Sequence, residues 1–316
     1  MKKMRRAIGG YVFLAAILLF AISCSSDPRK VLEKAARCMQ QGDYPGAEKN
    51  FRWLLRQNPD DTHLQANLAF ALTAQDKRDK HDEAITIYGK LVSEGEGAYD
   101  LFANFAKSLN AVGREDEAIT WNYRTLSVFP RLVDVRGDLA KLLVKNGRSY
   151  EALALLASFD NELEDRGANP YFKAQRIAIS ATLPPPSETS TAVLKAVKIA
   201  GHYYSIVLGD NDESLPFIID TGATHTTMSR QALETLRFAI PRNAQYVTLQ
   251  TAENREITGQ QFTLPKLHVG PYILKNVKVV VCENCASLLG QTTLERFDLT
   301  TKNADGLEYL SMKLRS

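Results

Sequence analysis

The 316-residue chain is 45% hydrophobic and 24% charged, the balance of a folded globular protein, which excludes disorder as the default. Its formal net charge is +3, and four of the positives, Lys2, Lys3, Arg5 and Arg6, precede a long apolar run. Subtracting those four leaves −1, a near-neutral body that does not suggest nucleic acid as a partner. The length suits two domains of ordinary size.

From Ala7 to Ser23 there is no charge, and the run ends Leu18-Leu19-Phe20-Ala21-Ile22-Ser23-Cys24. Basic residues before an apolar stretch are the pattern of an export signal. A small residue directly before Cys24 resembles the bacterial lipobox, with Ala21 where leucine is usual. That resemblance implies a signal peptide over 1–23, lipidation of Cys24 and a lipidated tether over 24–29. A plain cleaved signal and an uncleaved anchor are the other readings, the run being just short of a spanning helix. All three place the rest of the chain outside the cytoplasm, in the bacterial cell envelope, facing the periplasm or the exterior.

Residues 30–183 have the spacing of helices, with apolar positions three and four apart, as at Ala47, Phe51, Leu54 and Leu55. Gly42-Asp43-Tyr44-Pro45-Gly46-Ala47, Gly113-Arg114-Glu115-Asp116-Glu117-Ala118 and Gly147-Arg148-Ser149-Tyr150-Glu151-Ala152 repeat one opening, and Asp82-Glu83-Ala84 fits between them. The alanines are 37, 34 and 34 residues apart. This period, about 34 residues, resembles the tetratricopeptide family. Gln75 to Lys80 is expected to lengthen one inter-helix turn. The repeats read either as a groove for a protein partner or as a spacer. Asn169 to Leu183 reads as a terminal capping helix, and the proline run at 184–186 opens a linker over 184–191.

The period then becomes strand-like. Val193 to Ile199 fits a strand or a short helix. His202 to Leu208 and Leu215 to Ile219 read as a hairpin around the turn Gly209-Asp210-Asn211-Asp212. Its second strand runs into Asp220-Thr221-Gly222-Ala223-Thr224. Hydrolysing an amide without a metal or a covalent intermediate requires an activated water. Two carboxylates about 3 Å apart share one proton, so one can act as base and the other as acid. Thr221 is expected to hold the loop through its hydroxyl, and Gly222 to permit close backbone approach. Downstream, Leu288-Leu289-Gly290 precedes Thr292 and Glu295, whose capping-box spacing predicts a short helix starting there.

A strand, Asp-Thr-Gly-Ala-Thr, then apolar-apolar-Gly before a helix resembles the retropepsin-like aspartic peptidases, especially bacterial single-lobed members. The resemblance covers 192–316 and implies an all-β closed barrel after the all-α tetratricopeptide solenoid, hence a multidomain chain. It implies Asp220 as the catalytic carboxylate, with Thr221, Gly222, Ala223, Thr224, Leu288, Leu289 and Gly290 supporting the active loop. A flap would fall on Tyr246–Thr251 and Glu256–Phe262, with Thr251, Ala252 and Asn254 at its tip and no tip glycine. A single Asp-Thr-Gly implies a homodimer through the C-terminal domain, with Leu307 to Leu314 as a candidate interface strand.

Cys282 and Cys285 form Cys-Glu-Asn-Cys, for which an exported chain favours a local disulfide. A zinc site would need two further ligands, so no metal is expected, and no cofactor. Cys38 reads as a small buried apolar residue. His202, His225 and His268 lack ligand spacing, and no base accompanies Thr224, Thr226 or Thr227. The expected function is a lipid-anchored aspartic endopeptidase acting on a protein or peptide substrate. The alternative is a non-catalytic lipoprotein scaffold that binds proteins with both parts.

Overall fold

The structure, a computed structural model, describes residues 27–209, 213–250 and 254–315. Cys24, the signal segment, and Thr251 and Ala252 of the expected flap tip lie outside the described residues. No helix among the described residues is long and apolar enough to cross a membrane. The chain divides into two compact units, one ending at Ala118 and the other running from Ile119 to Ser316.

The first unit is helical: α1 (Pro28–Gln41), α2 (Tyr44–Gln57), α3 (Thr62–Thr73), α4 (Arg78–Ser93), α5 (Tyr99–Ala111) and the first residues of α6 (Glu115–Val128). Local sequence sets the starts. The carboxylates of Asp27, Asp43 and Asp61 each accept a backbone N–H in the first turn of α1, α2 and α3, satisfying donors that a helix leaves unpaired. Gly42 closes α1 at φ 75°, a left-handed conformation that any Cβ would strain. The repeated alanines Ala47, Ala84 and Ala118 are fully buried, where a methyl lets neighbouring helices approach closely.

Of the charged stretch, Gln75 to Lys77 lie in the α3–α4 connection, which spans 74–77 and is longer than the connection at 112–114 before α6, while Arg78 to Lys80 open α4. Ala47 and Ala118 are each three residues past the helix start, at Tyr44 and Glu115, whereas Ala84 is six past Arg78. The three extra residues between Ala47 and Ala84 add nearly one helical turn to the front of α4. The strong helix formers Arg78 and Lys80 favour propagating the helix over leaving it open.

The same unit carries a charge network. The Glu48 carboxylate accepts from Arg52, Gln75 and Lys80, and Arg52 also pairs with Glu83. Burial would raise the Glu48 pKa, but these donors outweigh it and hold it at about 2, below the usual 4.5. A depressed folded pKa contributes stability that is present above the unfolded value and lost as pH falls towards the folded one. Glu48→Gln should therefore flatten the decline in stability between about pH 4.5 and 2, measured by urea unfolding at stepped pH. An unchanged slope would remove Glu48 from the acid response.

Among the described residues the second unit holds the rest of α6, α7 (Val133–Lys145), α8 (Ser149–Glu164), α9 (Lys173–Ser180) and ten strands. The strands are β1 (Val193–Val197), β2 (Tyr204–Leu208), β3 (Ser214–Ile219), β4 (Thr226–Ser229), β5 (Gln245–Gln250), β6 (Glu256–Val269), β7 (Tyr272–Cys282), β8 (Leu288–Leu289), β9 (Phe297–Ala304) and β10 (Leu307–Leu314). Two short helices interrupt them, α10 (Arg230–Thr235) after β4 and α11 (Gln291–Leu294) after β8. The ambiguous 193–199 stretch is thus a strand at its start.

These strands form two sheets. One has the order β2-β3-β8-β4-β7-β6-β5, and β2 also meets β6 at Val207↔Val269 and Leu208↔His268. The other is β1-β10-β9. In it β10 is the central strand, paired on both sides. Its ladder groups are engaged within the chain, so Leu307–Leu314 has no free edge on which a further strand could pair.

Phe217, Met228, Leu267, Val277, Val279 and Leu289 are among the side chains of a common core. Burying each large apolar side chain contributes roughly 1.5–3 kcal/mol. Tyr272 is fully buried, and its single hydroxyl hydrogen is shared between the carbonyls of Ala192 and Met312 at 2.6 and 2.9 Å. Helix α8 lies on β2, β3 and β1, and ten of its 16 residues are buried. In the 184–191 stretch, the Ser187 N–H donates to Pro271 O and its carbonyl accepts from Ile273 N, while Pro184 O accepts from Tyr150.

Candidate active site

Strand β3 ends at Ile219, and Asp220 is the first residue beyond it. β8 lies parallel beside it, with Ile218↔Leu288 and Ile219↔Leu289 in register. The Asp220 N–H donates to Leu289 O at 3.1 Å, so the crossover fixes where the carboxylate begins. The chain then turns. The Gly222 N–H donates to Asp220 Oδ1 at 2.9 Å, and the Ala223 N–H to Asp220 O at 3.3 Å. Among the described residues, Asp220 Oδ2 takes no hydrogen bond. Asp220 is half-buried, with one carboxylate oxygen held by Gly222.

Gly290 lies against the loop from behind. A Cβ there would lie 2.3 Å from His225 O and 2.8 Å from Ala223 O, so only glycine permits this approach. A set of hydroxyls surrounds it. The Gly290 N–H donates to Thr226 Oγ1 at 3.2 Å, the Thr226 N–H donates to Thr292 Oγ1 at 2.9 Å, and Thr226 Oγ1 and Thr293 Oγ1 are 2.6 Å apart. Thr227 donates its hydroxyl hydrogen to Ala286 O at 2.8 Å. Thr226 and Thr293 are fully buried. Buried hydroxyls in such a closed set make the loop costly to deform.

The structure thus brings together Asp220, Thr221, Gly222, Ala223, Thr224, Leu288, Leu289 and Gly290. Two expectations change in detail. The Thr221 hydroxyl makes no hydrogen bond among the described residues; its carbonyl holds the loop instead, accepting from Gln291 Nε2 at 2.7 Å. The capping box from Thr292 does not form. Helix α11 starts at Gln291 with Gly290 as its cap and no side-chain cap, because the Thr292 hydroxyl is engaged by Thr226. Sequence reasoning also missed Gln291, Thr226, Thr227, Thr292 and Thr293 as supports. Two threonine pairs at 226–227 and 292–293, flanking the two halves of one site, were the available signal.

Of the expected flap, β5 and β6 pair from Gln245↔Gln261 to Gln250↔Glu256. Asn254 is exposed, has a left-handed φ of 62° and accepts from Gln250 Nε2 at 2.6 Å. Asparagine tolerates that conformation better than most residues.

Cys282 ends β7, and it forms a disulfide with Cys285 across a Cα–Cα separation of 5.4 Å, within the usual range. The closed loop leads directly to Ala286, Ser287 and β8. Cross-linking a four-residue loop should stabilise the fold by about 2 kcal/mol through the unfolded chain. Cys285→Ser should lower stability by that amount in denaturant titrations. Equal midpoints for oxidised protein and variant would remove the disulfide as a contributor.

One other arrangement has the order of a catalytic triad. In the first unit His81 Nε2 is 3.1 Å from Asp76 Oδ1, and His81 Nδ1 is 3.3 Å from Ser108 Oγ. Ser108 is 0% and His81 2% exposed, and Ser108 Oγ also bonds Thr73 Oγ1 at 2.8 Å. No substrate reaches a hydroxyl buried this way, so the cluster is a satisfied polar core. Among the described residues no group of three His, Cys, Asp or Glu is placed to hold a metal ion.

A carboxylate at a strand end, held by its own glycine and backed by an apolar-apolar-Gly crossover, is the arrangement on which the likeness to aspartic peptidases rests. Residues 207–296 match the family described as gag-polyprotein putative aspartyl protease. Among solved structures, a retropepsin-like aspartic protease from Rickettsia conorii is 25% identical, covers 39% of this chain and 92% of its own, and has a TM-score of 0.31. The first tetratricopeptide domain of human RPAP3 is 21% identical over 39% of this chain and 100% of that one, with a TM-score of 0.34. A tetratricopeptide protein from Thermus thermophilus is 19% identical over 49% and 89%, with a TM-score of 0.36. No curated protein matches the chain.

Proposed function

We propose that this chain is a membrane-anchored aspartic endopeptidase of the bacterial envelope that works as a homodimer. The observation that carries the reading is Asp220, with Oδ1 fixed by Gly222 and Oδ2 unpartnered among the described residues. A single such carboxylate supplies half of the chemistry. With the partner subunit's Asp220 across a two-fold axis, the two share one proton. The ionised carboxylate takes a proton from a water, whose oxygen attacks the peptide carbonyl carbon. The protonated carboxyl gives its proton to the carbonyl oxygen; the carboxyl that took the water's proton then gives it to the nitrogen as the C–N bond breaks, and a diol hydroxyl returns its proton to the other carboxylate, releasing the amine and the acid. The family match over the loop and its crossover supports this assignment. Lipidation at Cys24 would hold the enzyme at the membrane, and the helical repeats would recruit a substrate or partner protein. The test is cleavage of a mixed peptide library by the chain beside Asp220→Ala and Asp220→Asn. Dimerisation without cleavage from acid to neutral pH would favour a protein-binding scaffold instead.

A further inference from the structure

Gln291 is absent from the Asp-Thr-Gly motif and from the apolar-apolar-Gly crossover, yet it grips the active loop at two points. Its backbone N–H donates to Ala223 O at 2.8 Å. Its side-chain amide donates to Thr221 O at 2.7 Å. The two carbonyls lie on either side of Gly222.

The second contact matters most. Thr221 C=O and Gly222 N–H belong to one peptide group, and that group is planar and trans, with its oxygen and hydrogen pointing opposite ways. Gln291 Nε2 holds the oxygen end. The hydrogen end is the donor to Asp220 Oδ1, at 2.9 Å. Fixing one end of a rigid plane aims the other. The plane is exposed, since Thr221, Gly222 and Gln291 all reach solvent. Without the side-chain amide, water would take its place on the carbonyl, and the plane would be free to rock about the flanking φ and ψ.

We propose that Gln291 is a positioning residue: through the Thr221–Gly222 peptide plane it sets the orientation of the Asp220 carboxylate and so which oxygen faces the substrate. The catalytic part of this inference rests on the peptidase reading; the positioning part does not.

The test uses the full chain with three variants. Gln291→Met keeps the length and removes the donor. Gln291→Glu removes the donor and sets a carboxylate against a carbonyl. Gln291→Arg restores a donor with a different side chain. Losing one positioning hydrogen bond should lower kcat about tenfold in Gln291→Met, with KM changed less than about twofold. Gln291→Glu should lose at least as much, and Gln291→Arg should recover to within about threefold of wild type. In parallel, hydrogen–deuterium exchange of the segment containing the Gly222 amide should be faster in Gln291→Met and slowed again in Gln291→Arg. Wild-type kcat in Gln291→Met, or equal losses in Met and Arg variants, would overturn the inference. If the wild-type chain cleaves nothing, the peptidase reading fails by itself and the exchange measurement decides alone. Unchanged Gly222 exchange in Gln291→Met would then overturn the positioning role.

Discussion

Asp220→Asn is expected to reduce peptide hydrolysis by roughly 10²–10⁴-fold, the usual size of a general acid–base contribution. A symmetric dimer carries the substitution twice, so base and acid are both lost. The change keeps the side-chain volume and an oxygen that can accept from Gly222, so folding should be nearly unaffected. Asp220→Ala should be equally inactive but also lose the 2.9 Å bond from Gly222, at about 1 kcal/mol. Activity, thermal unfolding and oligomeric state measured together separate chemistry from folding. Cleavage surviving in both variants would mean that the carboxylate is not the acting group.

Gly290→Ala is the second large effect, and it acts with no change in charge. The added methyl meets two backbone carbonyls, not a yielding side-chain tip, at 2.3 and 2.8 Å. Relief requires moving Ala223 or His225, the segment directly following Asp-Thr-Gly, or breaking the bond from Gly290 N to Thr226 Oγ1. The expected cost is about 2–3 kcal/mol, in the range for overpacking a close contact, with hydrolysis lost because the loop shifts. A variant with wild-type stability and activity would mean that the crossover can retreat from the loop.

Much of the molecule was legible before any coordinates. The alanine period marks helices that pack closely, because burial beside a neighbouring helix tolerates little beyond a methyl at Ala47, Ala84, Ala118 and Ala152. The apolar run before Asp220 identifies a buried strand. What was not legible depends on partners far along the chain. Gln291 meets Thr221 across 70 residues, a distance at which glutamine type carries no pattern. Thr292 illustrates the reverse: a good local capping signal yields when a buried backbone donor, Thr226 N, needs the same hydroxyl. Of the charged stretch, Gln75 to Lys77 form the turn and Arg78 to Lys80 open α4, because charge marks solvent exposure and the exposed front of a helix is equally solvated.

Helix α8 carries the last repeated alanine, Ala152, yet Tyr150 and Ala154 share a crevice with Ser205 and with Ile219, the residue directly before Asp220. By sequence period this helix belongs to the repeats; by what it covers it belongs to the strands that carry Asp220. The segment that could be transplanted to another carrier is therefore longer than the motif-bearing one. Severing the chain at Pro184 would uncover the apolar backs of β2 and β3, and such a face invites aggregation.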